Sequence, residues 1–582
     1  MASSHTPTIN GDINGKAGKH AAAVSITAVD RVTLTINHLT INGLLSQQQE
    51  QQEHGSVASF RNIKFAEIPG RWHEARLLDV QSQKGLWDAT NWGPRPLQTV
   101  DTMPAMTGHL CPRLSVYNAM SEFECLNLNV YTPVTALQDA ARNDPELLPV
   151  IVWIHGGSFE WGDGSCECDG QYLVNRSIQT SRPVLMVSIN YRLGMLGFFT
   201  SKELRQEARD RGEAGCSNLG LHDQRLALQW VHNNIHFFGG DASRILLAGE
   251  SARAISVLAH LRGKVPMATS ALLMSPAMIG PKPFAESQRT FYKVCGTLGV
   301  AGQEMSASEK LAALRRLSYE AVGVGSQRFA QSLVAYVGDA LFSKAVRSIA
   351  ETHLSFRNAS QSAQPQVHLY RFDQPDLVAE GEPHRGRAYH SLDNSFLFYF
   401  PAVAGDKAPE QMRTTADEFS GAALRLAHGD ELWEPLGKES TNKFAIFSGD
   451  GMQVVPQTPP IWARLVDTPE RLEQLLLGKE LLWKTATIAT GKSGQGMCDL
   501  TVVHYEETSQ GLTLVSLARS GDQLSYSCTY RAPTRNTPCL EVSVRIVKQY
   551  ARIQVFFLSE EDQITNVIAT SVGAGRFSYT KD

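Results

Sequence analysis

A serine on a short turn between an apolar run and a helical segment has the clearest chemical potential in this sequence. Ser251 follows the apolar run 245–248 and the pair Gly249-Glu250, and a helical pattern begins directly after it. A serine on such a turn is raised to the edge of a sheet, where backbone N–H groups and the helix N-terminus can stabilise an oxyanion. This pattern predicts a nucleophile for acyl transfer. A serine that only caps the helix is the alternative.

A second signal, about a hundred residues earlier, is a glycine pair at the end of another apolar run. His155-Gly-Gly157 follows the run 150–154. Adjacent glycines at a strand end allow backbone N–H groups to face a cavity, as in the second half of an oxyanion hole. A simple tight turn is the alternative. Together with Ser251, the glycine pair favours an oxyanion hole.

These segments require a parallel sheet to bring them together. From residue 149 onward, the sequence alternates apolar runs at 149–157, 183–191 and 244–251 with a helical pattern at 223–240. Continuous apolar strands separated by helices are typical of a parallel sheet that is covered on both faces. The sequence therefore predicts an α/β fold, with a further strand near 366–374 and helices through 470–490.

The remaining segments predict three parts of the chain. Residues 1–30 are small and polar and are expected to form a flexible tail, whereas residues 31–490 form the α/β domain. After the break GKSGQG, apolar residues alternate with polar ones, which predicts a small all-β module at 498–582. This module could cover the pocket, mediate dimerisation or shield a sheet edge.

Composition excludes several classes of protein. The 582 residues are 42% hydrophobic and 19% charged, which indicates a globular chain, and the net charge of −4 gives no field for nucleic acid or an anionic membrane. Nine cysteines are thinly spread and do not predict a disulfide framework. The first twenty residues have no apolar core of signal-peptide length and nowhere do 18 apolar residues run together, so we expect a cytoplasmic protein with no membrane partner. No metal-ligand spacing is present, so we expect no metal or cofactor, and a small-molecule substrate is the expected partner. The oligomeric state stays open.

Eight short motifs follow one another over roughly residues 30–490. They are Phe65-Ala-Glu-Ile-Pro-Gly-Arg-Trp72, Glu124-Cys-Leu-Asn-Leu-Asn-Val130, His155-Gly-Gly157, Asn190-Tyr-Arg-Leu-Gly194, Asn218-Leu-Gly-Leu-His-Asp-Gln-Arg225, Phe238-Gly-Gly-Asp241, Gly249-Glu-Ser251 and Ala388-Tyr-His-Ser-Leu-Asp393. In this order they resemble type B carboxylesterases, the esterase and lipase group that includes the cholinesterases, and most of all its fungal intracellular members. The resemblance implies an α/β-hydrolase fold with a mostly parallel central sheet.

The resemblance implies a role for each site residue. Ser251 would be the nucleophile and His390 the general base, and the N–H groups of Gly157, Ser158 and Ala252 would form the oxyanion hole. The order of serine before histidine fits this fold. A solvated loop histidine is the alternative for His390.

The sequence departs from the family pattern at the catalytic acid. Relatives of this layout carry an acidic residue on a loop between nucleophile and base, and this chain has about a hundred fewer residues in that interval. Glu320, Asp339 and Asp393 remain as stand-ins, although each is expected to be structural. Loss of the orienting carboxylate lowers turnover by about four orders of magnitude in a serine triad, so ordinary fast hydrolysis is in doubt.

A second departure is Arg253, where the elbow pattern expects glycine because strand and helix backbones approach closely there. The arginine could point to solvent or pair with an acid behind the helix. Alternatively it borders the pocket and favours an anionic or enolate-like group.

Three functions follow from these features. The favoured one is a carboxylic ester or lactone hydrolase that acts through Ser251 and His390, with a natural-product intermediate as a plausible substrate. The alternative is a repurposed enzyme that catalyses non-hydrolytic dehydration or cyclisation of a secondary metabolite. A binding protein built on an inactive esterase is the third, and retention of both Ser251 and His390 weighs against it.

Overall fold

The computed structural model describes most of the first 456 residues and the strands of the C-terminal region. For residues 22–28 and for all strands after residue 500, only the backbone is described. The described residues are 22–28, 30–46, 56–98, 107–112, 119–142, 145–214, 217–261, 263, 267–276, 284–298, 300, 305–317, 366–378, 385–386, 388–436, 443–456, 502–503, 512–520, 523–530, 540–547, 550–558, 564–571 and 577–581.

This part of the chain contains twenty-two strands and eleven α-helices. The strands are β1 (Ala22–Ala28), β2 (Arg31–Ile36), β3 (Leu39–Ser46), β4 (Val57–Lys64), β5 (Ala66–Glu67), β6 (Arg76–Leu77), β7 (Gly85–Asp88), β8 (Asn127–Pro133), β9 (Leu148–Ile154), β10 (Leu185–Ile189), β11 (Gly240–Glu250), β12 (Ser270–Met274), β13 (Tyr370–Phe372), β14 (Lys443–Ser448), β15 (Gly451–Pro456), β16 (Val502–Val503), β17 (Leu512–Ser520), β18 (Gln523–Tyr530), β19 (Leu540–Val547), β20 (Tyr550–Leu558), β21 (Ile564–Ser571) and β22 (Phe577–Lys581). The helices are α1 (Val134–Ala140), α2 (Gln171–Gln179), α3 (Gly194–Phe198), α4 (Lys202–Asp210), α5 (Leu219–Asn234), α6 (Ala252–Leu261), α7 (Phe284–Thr297), α8 (Ala307–Arg316), α9 (Leu392–Leu397), α10 (Pro401–Ala404) and α11 (Glu410–His428).

The central sheet has ten strands in the order β1-β2-β3-β4-β8-β10-β9-β11-β12, and β7 pairs with β3. Strands β10, β9, β11 and β12 are parallel to one another, and they include the apolar runs that the sequence assigned to a parallel sheet. Strands β1 to β4 and β8 add an antiparallel half. The predicted α/β-hydrolase fold is confirmed.

Strand β9 shows why the parallel strands are continuously apolar. Val150, Val152 and Ile154 belong to the core on one face of the sheet, whereas Ile151 and Trp153 belong to the core on the other face. Successive side chains of a strand point to opposite faces, so a strand that is covered on both sides needs apolar residues at every position. Burial on two faces therefore fixes this strand in the middle of the domain.

One helix on each face illustrates how the sheet is covered. Helix α5 packs Leu228 and Trp230 into the first core, together with Ile245 and Leu247 of β11. Helix α11 packs Phe419 into the second core, which also contains Leu246. The side chains of residues 245–247 of β11 thus alternate between two helical layers.

A separate antiparallel sheet of seven strands, β16 to β22, forms the C-terminal region. Its strand β18 contains the alternating Leu524, Tyr526, Cys528 and Tyr530, as the sequence predicted. The predicted helices at 470–490 and the GKSGQG break lie outside the described residues.

Two predictions about strands need correction. Residues 22–28, assigned to the flexible tail, form β1, which pairs antiparallel with β2 in a register that places Val24 opposite Leu34. The alternating apolar residues of this segment extend the sheet by one strand, so the predicted tail is too long. The predicted strand at 366–374 is shorter than expected, because only Tyr370–Phe372 pairs, with β14.

Candidate active site

The sequence-predicted site residues lie where parallel strands end. Strand β9 ends at Ile154 and leads into the His155 loop, and β11 ends at Glu250 directly before Ser251. The carboxyl ends of parallel strands meet at the same edge of a sheet, which is where α/β folds bind ligands. The sheet therefore brings the two predicted halves of the site together.

Ser251 occupies a strained turn between β11 and α6. Its φ angle is 61°, in the left-handed region that non-glycine residues rarely adopt, and its N–H donates to the carbonyl of Met274 at 2.9 Å. A Cβ on Gly249 would lie 3.1 Å from the carbonyl oxygen of Arg253, which shows how closely strand and helix approach. The side chain of a serine on such an elbow is presented at the sheet edge.

The carboxylate of Glu250 contacts His390. Glu250 Oε1 lies 2.8 Å from His390 Nε2 and accepts a hydrogen bond from Ser391 Oγ at 2.9 Å. Glu250 is 1% exposed. A Cβ on Gly156 would lie 2.4 Å from Glu250 Oε2, so glycine at that position leaves room for the carboxylate. Glu250 therefore lies between the His390 loop and the glycine pair, one residue from Ser251.

Two titratable groups in this cluster have perturbed pKa values. Burial disfavours the charged form of His390, but the charge and hydrogen bond of Glu250, with a contribution from Asp393, outweigh burial and raise the pKa of the imidazole above its usual 6.5. Burial, followed by the charge of Glu250, raises the pKa of Asp393 to about 7. A histidine that gains a proton easily next to a fixed carboxylate is suited to general-base chemistry.

The loop after β9 has an unusual backbone. Gly157, Ser158 and Phe159 have φ angles of 112°, 54° and 63°, and the N–H groups of Glu160 and Trp161 both donate to the carbonyl of Gly157. Left-handed backbone angles at two consecutive non-glycine residues raise the energy of the loop, and such strained residues cluster at functional sites. The N–H groups of Gly157 and Ser158 have no acceptor among the described residues.

Ala252 is the third residue that the sequence predicted as an oxyanion donor. It is the first residue of α6, where helix N–H groups have no intrahelical acceptor and the helix dipole favours negative charge. Ser158 keeps its N–H in the loop after β9. The three residues predicted as donors thus lie on two segments at one sheet edge.

Arg253 points inward. The residue is fully buried, so the solvent-facing alternative is wrong. Its Nε donates to the hydroxyl of Tyr191, its Nη2 donates to the carbonyl of Trp161 at 2.9 Å, and its guanidinium lies 5.3 Å from the ring centre of Phe159. The arginine therefore packs against the loop that carries Gly157 and Ser158.

Other sequence motifs form contacts away from the edge where Ser251 and the glycine loop lie, and these contacts stabilise the fold. Arg192 forms a buried ion pair with Asp223 at 2.7 Å and donates to the carbonyl of His73. The indole of Trp72 donates to the carbonyl of Met195 at 2.9 Å. These contacts join motifs that are distant in sequence and fix the segments around the parallel strands.

The acid that the sequence left unassigned has a structural candidate. Glu320 and Asp339 lie outside the described residues, and Asp393 lies near the cluster and perturbs the pKa of His390. The carboxylate that contacts the imidazole is Glu250, which sequence reasoning missed. The motif Gly249-Glu-Ser251 already placed a carboxylate next to the predicted nucleophile, but the contact of this carboxylate with the distant His390 loop could not be inferred from spacing.

Metal-ligand clusters and membrane spans are both absent from the part of the chain that the structure describes. No group of three or more His, Cys, Asp or Glu side chains there could hold a metal ion. None of the described helices combines the length and apolarity required to cross a bilayer.

Comparison with known proteins places this geometry in a family. The chain is 32% identical to lipase 2 of Diutina rugosa over 320 residues, covering 52% of the chain and 53% of that lipase. It is 32% identical to a secreted triacylglycerol lipase of Gibberella zeae (46% of the chain, 45% of the relative) and 35% identical to acetylcholinesterase of Electrophorus electricus (46% and 41%). The chain spans about half the length of these relatives.

A family-level match covers the turn at Ser251 and the glycine loop. The model of the carboxylesterase family matches residues 31–323, which include Ser251 and His155-Gly-Gly157, whereas His390 lies beyond this range. The relatives named above are ester hydrolases by name, namely lipases and a cholinesterase. The family match agrees with the α/β fold and shows that the chain belongs to the carboxylesterase family.

Proposed function

We propose that the protein is a serine-dependent hydrolase of a carboxylic ester or lactone with a small-molecule substrate. The observation that carries this proposal is the contact between Glu250 and His390 at 2.8 Å, one residue from a serine in a left-handed turn. A nucleophile, an imidazole and a carboxylate at one sheet edge form the set that acyl transfer requires.

In the acylation step, His390 acts as the general base. The neutral imidazole takes the proton of the Ser251 hydroxyl while Ser251 Oγ forms a bond to the substrate carbonyl carbon. The carbon–oxygen bond to the alcohol then breaks, and the imidazolium returns the proton to the leaving oxygen.

Deacylation uses the same groups in reverse. His390 removes a proton from water, the resulting hydroxide attacks the acyl carbon, and Ser251 leaves with the proton from the imidazolium. Glu250 stabilises the imidazolium in both steps because its carboxylate remains in hydrogen-bond contact with the ring. In a lactone, the alcohol stays attached to the acyl product.

The oxyanion of each tetrahedral intermediate requires preorganised donors. We assign this role to the N–H groups of Gly157, Ser158 and Ala252, at the glycine loop and the helix start. Removing one such donor costs about 10²- to 10³-fold in turnover in a serine hydrolase. The strained φ angles of the loop fix these donors before the substrate arrives.

The proposal also names a class of substrate and a cellular location. We propose a natural-product ester or lactone as the substrate and the cytoplasm as the location. The relative from Gibberella zeae is a secreted lipase, so secretion is the competing outcome. Fluorescence of a tagged protein in its native cell distinguishes the two locations.

A second candidate function, dehydration or cyclisation without an acyl-enzyme, is favoured by Arg253. This buried cation next to the glycine loop could stabilise an enolate-like intermediate as well as an oxyanion. In that reaction, Ser251 would not form a covalent bond. The two candidates therefore differ in whether Ser251→Ala abolishes turnover.

Hydrolysis of 4-nitrophenyl esters of increasing acyl length tests the proposed function. We expect measurable turnover by the wild type, a loss of at least about 10³-fold in both Ser251→Ala and His390→Ala, and an unchanged rate in the surface control Glu434→Gln. Turnover of the natural substrate by Ser251→Ala at the wild-type rate would instead support dehydration or cyclisation.

A further inference from the structure

Arg253 connects the helix of the nucleophile to the glycine loop. It is the second residue of α6 and is fully buried. Its Nη2 donates to the carbonyl of Trp161 at 2.9 Å, and its guanidinium lies over the ring of Phe159. A single side chain two residues after Ser251 therefore contacts the far end of the loop.

The near end of the same loop is reached through Tyr191. Arg253 Nε donates to the Tyr191 hydroxyl, which itself donates to the carbonyl of His155 at 3.2 Å. Burial raises the pKa of Tyr191 to about 12, against the opposing charge of Arg253, so the phenol keeps the proton that it donates. The two carbonyls held in this way flank Gly157 and Ser158.

The charge of Arg253 also acts on this loop. Among the described residues, no carboxylate forms an ion pair with it. Burial and then the charge of Arg253 hold the pKa of His155 well below its usual value. A cation that influences the first residue of the loop in a low-dielectric environment also favours negative charge developing beside it.

We propose that Arg253 is a positioning residue for the oxyanion hole, which holds the loop so that the N–H groups of Gly157 and Ser158 face the developing oxyanion. The elbow pattern has glycine at this position, so the device is specific to a chain that carries arginine there. This inference rests on the proposed ester hydrolysis.

The test compares Arg253→Met and Arg253→Lys with wild type in nitrophenyl ester hydrolysis and in binding of a trifluoromethyl ketone, which forms a tetrahedral adduct with a serine. We expect Arg253→Met to lower kcat by about 10²-fold with KM changed less than about threefold. Arg253→Lys keeps the charge and should recover part of the loss. Affinity for the ketone should fall in parallel with kcat/KM.

Arg61→Met is the matched control, because Arg61 is another buried arginine, which lies over the ring of Trp92 and pairs with Asp169. It should lower the melting temperature but leave kcat per folded molecule unchanged. A kcat for Arg253→Met within threefold of wild type, or a loss no larger than that of Arg61→Met, overturns the inference alone. A wild-type protein that neither hydrolyses esters nor binds the ketone removes the proposed function, and the inference with it.

Discussion

Replacing Glu250 with glutamine removes the charge that contacts His390 and keeps the shape of the side chain. The contact is 2.8 Å long; Glu250 is 1% exposed, whereas the His390 side chain is 34% exposed, so solvent screens the pair partly. A hydrogen bond to a charged group contributes about 1.5–3 kcal/mol, and its loss in the transition state corresponds to about a 10- to 10²-fold lower kcat/KM. If glutamine also holds the wrong tautomer of His390, the loss approaches about 10⁴-fold.

The pH profile distinguishes this role from a merely structural one. Burial lowers the pKa of His390, and Glu250 raises it above the usual value by its charge and hydrogen bond. The neutral imidazole is the base, so kcat/KM of the wild type rises as the pH passes the raised pKa. Without the carboxylate this pKa falls, and the rising limb of the Glu250→Gln profile therefore moves to lower pH.

The assay is kcat/KM for a nitrophenyl ester between about pH 5 and 9, a range that spans histidine titration, in wild type, Glu250→Gln and the surface control Glu434→Gln. Glu434 forms an exposed ion pair with Lys443. A Glu250→Gln enzyme with the wild-type rate and an unmoved limb refutes the assignment of Glu250 as the partner of His390. A lowered rate with an unmoved limb refutes the electrostatic part of it.

Three further variants test the cluster around Glu250. Gly156→Ala places a Cβ 2.4 Å from Glu250 Oε2 and should lower kcat by about 10²-fold. The control Gly296→Ala should leave kcat unchanged, because a Cβ there would have no atom within 4 Å. Equal kcat values for the two variants would contradict this. Asp393 has a raised pKa of about 7, so the folded state loses stability as the pH rises from the pKa of the unfolded chain toward 7. The Asp393→Asn variant should therefore show a larger gain in Tm at about pH 8 than at about pH 5. An equal gain in Tm at both pH values would refute this. Ser391→Ala removes the 2.9 Å hydrogen bond to Glu250. Loss of this bond corresponds to about 1 kcal/mol of stabilisation and should lower kcat severalfold. An unchanged steady-state rate would show that Ser391 does not hold the carboxylate.

The sequence predicted the parts of the fold that depend on local patterns. Apolar runs at β9, β10 and β11 indicated parallel strands because burial on both faces requires apolar residues at every position. The turn at Ser251 was predicted from the strand and helix on either side. The short strand β1 was missed because its segment is small and weakly apolar, and only pairing with β2 makes it a strand.

Contacts between distant loops could not be predicted in the same way. Glu250 and His390 are about 140 residues apart in sequence, and their contact depends on how the His390 loop packs over β11. The sequence shows that Arg253 departs from the elbow pattern. The direction of its side chain depends on the space between Tyr191 and Phe159, which the sequence does not show. Packing decides which alternative holds, and packing is a property of the folded chain.

Covalent labelling with a fluorophosphonate tests the central claim most directly, because the probe reacts with a serine that an adjacent base activates. We predict one adduct per molecule, mapped to Ser251 by peptide mass spectrometry, that is abolished in Ser251→Ala and slowed in both His390→Ala and Glu250→Gln. A wild-type protein that is folded yet unlabelled at Ser251, or labelled equally fast without His390, would contradict the account.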